Sequence, residues 1–85
     1  MTINITRKAY NDLLYWKETN PKIHSRIKSL IEDIERHPLI GIGKPELLRG
    51  NLTGFLSRRI NRMHRLVYKV NNNEIIIISC KYHYL

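Results

Sequence analysis

A stripe of apolar residues near the middle of the chain constrains the fold more than any other feature. The stripe has offsets of 0, 4, 7, 8 and 11 and consists of Ile23, Ile27, Leu30, Ile31 and Ile34. This is the 3.6-residue period of a helix with one buried face. Asn20 and Pro21 suit the start of this helix, and Pro38 ends it, because a proline disfavours the helical conformation in the residue before it. The stripe therefore predicts an amphipathic helix that packs on a second layer.

The residues before this helix predict a strand and a first helix. Residues 2–5 read TINI and alternate polar with apolar side chains, which suits a short strand. Thr6 is a residue type that caps helix starts, so we expect a helix over residues 7–19. Because the second helix begins almost at once, the two helices should form a hairpin.

Three strands are predicted in the second half, over residues 54–60, 64–70 and 74–81. Short polar turns separate them, which is typical of an antiparallel meander. The predicted fold class is α+β, in the order β-α-α-β-β-β, with the helix hairpin packed on one face of a twisted antiparallel sheet. Residues 37–53 form a long connection, which we expect to be packed through Ile40, Leu47 and Leu48.

Charge is distributed unevenly along the chain. Fifteen Lys and Arg residues face seven Asp and Glu residues, giving a net charge of +8 over 85 residues. The chain up to Gly43 carries +2 and the remainder +6. An excess of this kind favours polyanionic partners, and the second half is the candidate surface for them. A basic surface that only aids solubility is the alternative.

Other features narrow the class of protein. A chain of 85 residues is expected to form one domain, spanning 1–85, because so small a core does not divide in two. The single cysteine, Cys80, excludes an internal disulfide, and zinc-ligand spacings are absent, so no metal or cofactor is expected. The sequence contains neither a signal-peptide pattern nor a membrane-spanning run, which predicts a cytoplasmic protein without a membrane partner.

Side chains alternate between the two faces of a strand, and this alternation, or parity, predicts which residues point away from the helices. Leu66, Tyr68 and Val70 should face the helices, so Arg65 and Lys69 should project from the open face. Parity on the preceding strand is less decisive because Arg58 and Arg59 point in opposite directions. We favour Arg59, together with Ser57, on the open face.

Glu46 and His83 are the candidates for acid–base chemistry. Glu46 is the only carboxylate between Glu35 and Glu74, and basic residues such as Lys44 and Arg49 flank it. It would suit a general base beside a bound phosphodiester, and a salt bridge to an arginine is the alternative. His83 lies in the terminal KYHYL, where it could act near neutral pH or be an exposed tail residue.

The stretch KPELLRGNLTGFLSRRINRMHRLVYKV, together with YWKETNPK and the ending KYHYL, resembles the YoeB family of the RelE superfamily. The resemblance extends across the chain. It implies a RelE-like fold and a type II toxin that cuts mRNA on the ribosome and is held inactive by a YefM-like antitoxin. It also implies a metal-independent reaction, with inhibition of translation as its outcome.

The resemblance assigns roles to particular residues. Glu46 matches the proposed base, Arg65 the phosphate-stabilising arginine and His83 the proposed acid. Arg59 and Tyr84 match further active-site positions, and Lys44 and Arg49 are candidates for binding RNA phosphates. Arg49 stands where the best-known relatives carry lysine, and Leu85 extends beyond the tyrosine that often ends the family.

Three other functions are compatible with the sequence: a basic module that binds nucleic acid without cutting it, a gyrase-poisoning member of the same superfamily, and an inactive partner-binding protein. A homodimer is compatible with so small a core. The cations near Glu46 and His83 favour an ionised carboxylate and a neutral imidazole, which opposes the assigned roles until a polyanion binds.

Overall fold

The computed structural model describes residues 1–82, and its helices begin where the capping residues predict. The helices are α1 (Arg7–Thr19), α2 (Pro21–Arg36) and a short 3-10 turn (Gly50–Leu52). The Thr6 side chain accepts a hydrogen bond from the Ala9 amide (3.2 Å), and the Asn20 side chain accepts one from the Ile23 amide (3.4 Å). Each cap satisfies an N–H group that has no partner within its own helix. No helix in residues 1–82 has the length and apolar character to cross a membrane.

The strands form one five-stranded sheet in the order β1-β5-β4-β3-β2. They are β1 (Thr2–Ile5), β2 (Glu46–Leu47), β3 (Leu56–Arg59), β4 (Arg65–Asn71) and β5 (Glu74–Ser79). β3, β4 and β5 form the expected antiparallel meander. The α+β fold class is therefore confirmed.

Two details of the sheet differ from the expectation. β1 pairs with β5 in parallel, so the sheet is mixed rather than wholly antiparallel. The helix hairpin and the connection after it lead from β1 to β2 at the other edge of the sheet. The meander then places β5 next to β1, and these two strands run in the same direction. The second difference is β2, a two-residue strand inside the predicted connection, which pairs with β3.

The core lies between the helices and one face of the sheet. The helices contribute Ala9, Trp16, Ile27, Leu30 and Ile34, and the sheet contributes Leu56, Leu66, Tyr68, Ile75 and Ile77. The predicted parity of β4 is correct, because Leu66 and Tyr68 are buried in this cluster while Lys69 is exposed. On the opposite face of β4, Arg65 and Lys69 flank the buried Val67.

Arg58 organises the connection that follows α2. Its side chain is 0% exposed, and all three of its nitrogen atoms donate hydrogen bonds. Nε donates to the Tyr68 hydroxyl (3.1 Å) and Nη1 to Asp33 Oδ2 (2.5 Å). Nη1 and Nη2 also reach the backbone carbonyls of His37, Ile40 and Ile42. A guanidinium has five N–H groups, which is why one side chain can hold so many acceptors.

The connection is therefore held differently from the prediction. Leu48 is buried as expected, but Ile40 and Leu47 are 69% and 68% exposed. The expectation that Ile40 and Leu47 pack inward is wrong. The buried guanidinium of Arg58 holds residues 37–42 through their carbonyl groups, and Leu47 lies in the edge strand β2, which is held by its pairing with β3. Apolar side chains can then face outward without loosening the backbone.

Gly41 allows the loop to pass close to this ion pair, and we predict a stability loss for Gly41→Ala. Its φ is +125°, and a Cβ there would fall on Asp33 Oδ2 and lie 3.2 Å from Arg58 Nη1. Gly54→Ala is the matched control, because Gly54 has φ +98° but, apart from its two chain neighbours, no residue of 1–82 has an atom within 4 Å of a Cβ there. Urea unfolding should show that Gly41→Ala lowers the free energy of unfolding by about 2 kcal/mol more than Gly54→Ala. Equal losses would contradict this account.

Candidate active site

A cross-strand row on the open face of the sheet brings the candidate carboxylate to the basic residues. Glu46 of β2 is paired with Ser57 of β3, and Ser57 is paired with Val67 of β4. Two positions further along β3, Arg59 is paired with Arg65. Directly paired residues project on the same side, and diagonal neighbours lie roughly 7–8 Å apart. Glu46, Arg59 and Arg65 therefore share one face on three adjacent strands.

The Arg59–Arg65 pair places two arginines directly opposite each other on adjacent strands. Like charges in this arrangement destabilise a sheet, so the pair marks a place where an anion would be favourable. Arg59 is exposed and Arg65 is half-buried. The prediction that Arg59 lies on the open face is correct, because the side chain of Arg58 points to the helix-covered face. Ser57 lies on the same face as Arg59, as predicted, but it is buried.

Hydrogen bonds hold the backbone of Arg59 and the side chain of Arg65. The Arg59 N–H donates to the Gly43 carbonyl (2.7 Å), and the Arg59 carbonyl accepts from Arg26 Nη2 (3.1 Å). The Arg65 Nη1 atom donates to the carbonyls of Asn61 (2.8 Å) and His64 (3.2 Å) in the turn before β4. These contacts hold the Arg65 guanidinium at the end of the sheet near this turn.

Glu46 lies in the edge strand β2, which pairs with β3 on the side away from β4. It is exposed and lines an open cleft with Pro45, Leu47, Leu48, Arg49 and Leu52. Lys44 and Arg49 are also exposed and flank the strand on either side. Lys44 and Arg49, the basic residues expected near Glu46, thus lie just before and just after β2. Within residues 1–82, no group of three or more His, Cys, Asp or Glu side chains is arranged to hold a metal ion.

His83 and Tyr84 lie outside the described residues, but the segment that leads to them is firmly held. The Cys80 N–H donates to Asp12 Oδ2 (3.0 Å), and Trp16 Nε1 donates to the Cys80 carbonyl (2.8 Å). The Tyr82 N–H donates to His64 Nδ1 (2.7 Å), and the Tyr82 carbonyl accepts from the Arg65 N–H (2.8 Å). Four hydrogen bonds therefore fix the backbone immediately before His83.

Sequence reasoning missed the roles of Asp12 and His64 in this segment. Asp12 lies in α1 and His64 precedes β4, so their contacts with residues 80–82 join distant parts of the chain. The only signal was the position of His64 directly before Arg65. Burial raises the pKa of the Cys80 thiol to about 12, with the Asp12 carboxylate adding to the effect. Cys80 is therefore a packing residue.

The sequence matches the family described as the YoeB-like toxin of bacterial type II toxin–antitoxin systems over residues 5–84. The chain belongs to the YoeB toxin family. Toxin YoeB of Streptomyces coelicolor is 45% identical over 84 residues, which cover 99% of this chain and 100% of that protein. YoeB toxins are thus similar to this chain over its whole length.

Solved structures of YoeB proteins have the same fold. The YoeB/ParE toxin from Agrobacterium tumefaciens superposes with a TM-score of 0.95 at 36% identity, covering 99% of this chain and 100% of that one. YoeB from Staphylococcus aureus is 48% identical and was solved as a heterotetrameric complex with YefM (TM-score 0.89) and as a dimer (TM-score 0.90). Both of these structures cover 99% of this chain and 98% of the solved chain. This YoeB-family chain is accordingly the toxin of a type II toxin–antitoxin system.

Proposed function

We propose that the chain is a ribosome-dependent endoribonuclease that cuts mRNA and so inhibits translation. The observation that carries this proposal is the position of Glu46 beside the Arg59–Arg65 pair on the open face of the sheet. A carboxylate on the same face of the sheet as two cross-strand arginines suits a general base near the phosphate on which it acts. Membership of the YoeB family supports the same function.

The proposed reaction needs no metal ion and proceeds by internal attack. Glu46 removes the proton from a ribose 2′-hydroxyl, and the resulting oxygen attacks the adjacent phosphorus. The bond from phosphorus to the 5′-oxygen breaks, and His83 gives that oxygen a proton. The products are a 2′,3′-cyclic phosphate and a 5′-hydroxyl. Arg65, with Arg59, stabilises the negative charge that develops on the phosphate oxygens.

The remaining candidate residues bind the RNA around the scissile bond. Lys44 and Arg49 flank the strand that carries Glu46 and are exposed, so both are available to RNA phosphates. Tyr84 provides an aromatic ring of the kind that stacks on an unpaired base. These contacts would place the 2′-hydroxyl within reach of Glu46.

The ribosome supplies what the isolated site lacks. Arg59 and Arg65 lie opposite each other on adjacent strands, and like charges in this arrangement oppose one another until an anion binds. A bound polyanion offsets the positive charge of the guanidinium groups. We therefore propose that mRNA held by the ribosome completes the site.

We also propose the partners and the setting that this function requires. An antitoxin of the YefM kind would hold the toxin inactive, and a homodimer would form in its absence, as in the S. aureus structures. The proposed substrate places the protein in the cytoplasm, where residues 1–85 act as one toxin domain.

The test compares cleavage of ribosome-bound mRNA with cleavage of the same RNA free in solution. We expect cleavage on the ribosome to be faster by about 10²-fold or more, because the ribosome positions the RNA. Primer extension maps the cut sites. Labelling of the new 5′ ends with a kinase, without prior phosphatase treatment, identifies a 5′-hydroxyl. Equal rates would contradict the ribosome requirement, and 5′-phosphate ends would contradict the mechanism.

A further inference from the structure

His64 occupies a buried position where α1, the start of β4 and the C-terminal segment meet. It is 8% exposed, and its ring lies edge-on to Trp16 with the ring centroids 4.7 Å apart. The Tyr82 ring lies on another side at 5.8 Å. The His64 backbone is fixed as well, because its N–H donates to Asn61 Oδ1 (2.7 Å) and its carbonyl accepts from the Ile60 N–H (3.0 Å). The imidazole is therefore held in one orientation.

The hydrogen bond that His64 makes requires one protonation state. Nδ1 accepts from the Tyr82 N–H at 2.7 Å, and a ring nitrogen can accept only when it carries no proton. A proton on Nδ1 would set two N–H groups against each other and break the contact. The contact between Tyr82 and His64 therefore exists only while the imidazole is neutral.

The Tyr82 peptide is held on its other side by Arg65. The Tyr82 carbonyl accepts from the Arg65 N–H at 2.8 Å. Tyr82 thus lies between His64 and Arg65, and it is bonded directly to His83 in the sequence. Its φ of +69° is in the left-handed region, which a tyrosine rarely adopts without support from its surroundings. The hydrogen bonds to His64 and Arg65 provide that support.

We propose that His64 is a positioning residue whose neutral imidazole holds the Tyr82 backbone, and with it the point from which His83 departs, in place for the reaction. Protonation of His64 releases Tyr82. This inference rests on the proposed nuclease function for its catalytic consequence. His64 itself touches neither the substrate nor the reacting atoms, and it acts through Tyr82.

The surroundings of His64 keep it neutral. Burial lowers the pKa of His64 below its usual value of 6.5, and the positive charge of Lys81 lowers it further. The imidazole faces the neutral Trp16 ring from α1 and the Tyr82 ring from the C-terminal segment, and the next charge along the chain is Arg65 at the start of β4. The stabilisation is therefore complete above pH 6.5 and is lost as the pH falls through the lowered pKa.

Two variants separate the acceptor from the shape of the side chain. In His64→Asn, the amide oxygen can take the place of Nδ1, and the side chain does not titrate. In His64→Phe, the ring is retained against Trp16 but no acceptor remains. Hydrogen exchange at the Tyr82 amide, measured by NMR, reports the contact directly and does not depend on cleavage.

We expect the Tyr82 amide of the unmodified chain to be protected from exchange at neutral pH and to lose that protection in acid. His64→Asn should keep the protection through the same pH range, and His64→Phe should lack it throughout. Trp16 is the only tryptophan, so its fluorescence provides a second titration that should disappear in His64→Asn. A protected Tyr82 amide in His64→Phe, or an unchanged acid transition in His64→Asn, would overturn the proposal.

Cleavage on the ribosome tests the catalytic consequence. His64→Phe should lower the single-turnover rate by about 10²-fold, the scale of a small misplacement of a reacting group. His64→Asn should retain most of the rate at neutral pH and retain more of it in acid than the unmodified chain does. A rate for His64→Phe equal to that of the unmodified chain would overturn the positioning role. Absence of cleavage by the unmodified chain would instead overturn the nuclease function, while the exchange data would still test the contact.

Discussion

Replacing Glu46 with glutamine should lower the single-turnover rate of mRNA cleavage on the ribosome by about 10²–10⁴-fold. The amide keeps the shape of the side chain but cannot take the proton of the 2′-hydroxyl. Because the change also removes a negative charge from a basic surface, RNA binding should be unchanged or tighter. The rate and the affinity are measured separately, by quench-flow on saturated ribosomes and by titration.

Glu74→Gln is the matched control for Glu46→Gln. Glu74 lies at the start of β5, where its carboxylate contacts the Asn4 side chain, and its strand is separated from β2 by β4 and β3. The same chemical change there should leave the cleavage rate nearly unaltered. A Glu46→Gln variant that cleaves normally would contradict the role of Glu46 as the base. Full toxicity of both this variant and the unmodified chain, with no cleavage by either, would favour a module that binds nucleic acid without cutting it.

The other two members of the proposed set should behave in the same way. Arg65→Ala and His83→Ala should each relieve growth arrest while leaving the chain folded, as judged by circular dichroism. Arg65→Lys separates the effect of the charge from that of the guanidinium geometry. Lysine keeps the charge but lacks the planar fork that binds two phosphate oxygens. Full toxicity in all three of Glu46→Ala, Arg65→Ala and His83→Ala would contradict the mechanism.

Replacing Arg58 with methionine should lower the free energy of unfolding by about 3 kcal/mol or more. The side chain is fully buried, and its loss leaves the carbonyls of His37 and Ile40 and the hydroxyl of Tyr68 without the donor they now share. Native domains are stable by only about 5–15 kcal/mol, so this is a large share. Urea unfolding followed by the fluorescence of Trp16 measures the change.

Arg62→Met is the control, because Arg62 is exposed in the turn before β4. Removal of an exposed guanidinium should change the free energy of unfolding by less than about 0.5 kcal/mol. Equal stability of Arg58→Met and Arg62→Met would show that the buried guanidinium does not hold the loop.

Acid adds a second test of the Arg58 contact. The hydrogen bond from Arg58 lowers the pKa of Asp33 below its usual value of 3.8. A carboxyl whose pKa is lower in the folded state stabilises the fold above its unfolded value, and this stabilisation is lost as the pH falls through the folded value. Asp33→Asn should therefore remove part of the loss of stability in acid.

Local chemistry made the helices predictable. Thr6 and Asn20 satisfy the first N–H groups of α1 and α2, and these caps can be recognised from neighbouring residues alone. The parity of β4 was equally visible, because Leu66 and Tyr68 alternate with Arg65 and Lys69. Such features depend on the period of the backbone and not on distant partners.

The features that were missed depend on distant partners. Arg58 is buried because Asp33 and the carbonyls of the loop surround it, and the alternation within β3 could not indicate this. The parallel pairing of β1 with β5 and the contact between His64 and Tyr82 likewise join separate parts of the chain. At the candidate site, the family resemblance selected Glu46 and Arg65, whereas residue pattern alone left a salt bridge open for Glu46.

The pairing of β1 with β5 has a consequence during synthesis. The Thr6 hydroxyl donates to the Ile78 carbonyl, 72 positions later, and the amide of Cys80 is bound by Asp12 of α1. A nascent chain leaves the ribosome with its N-terminus first, so β1 and α1 emerge long before their partners exist. The fold therefore closes only after β5 has left the ribosome, and until then β1 and α1 lack the partners that hold them.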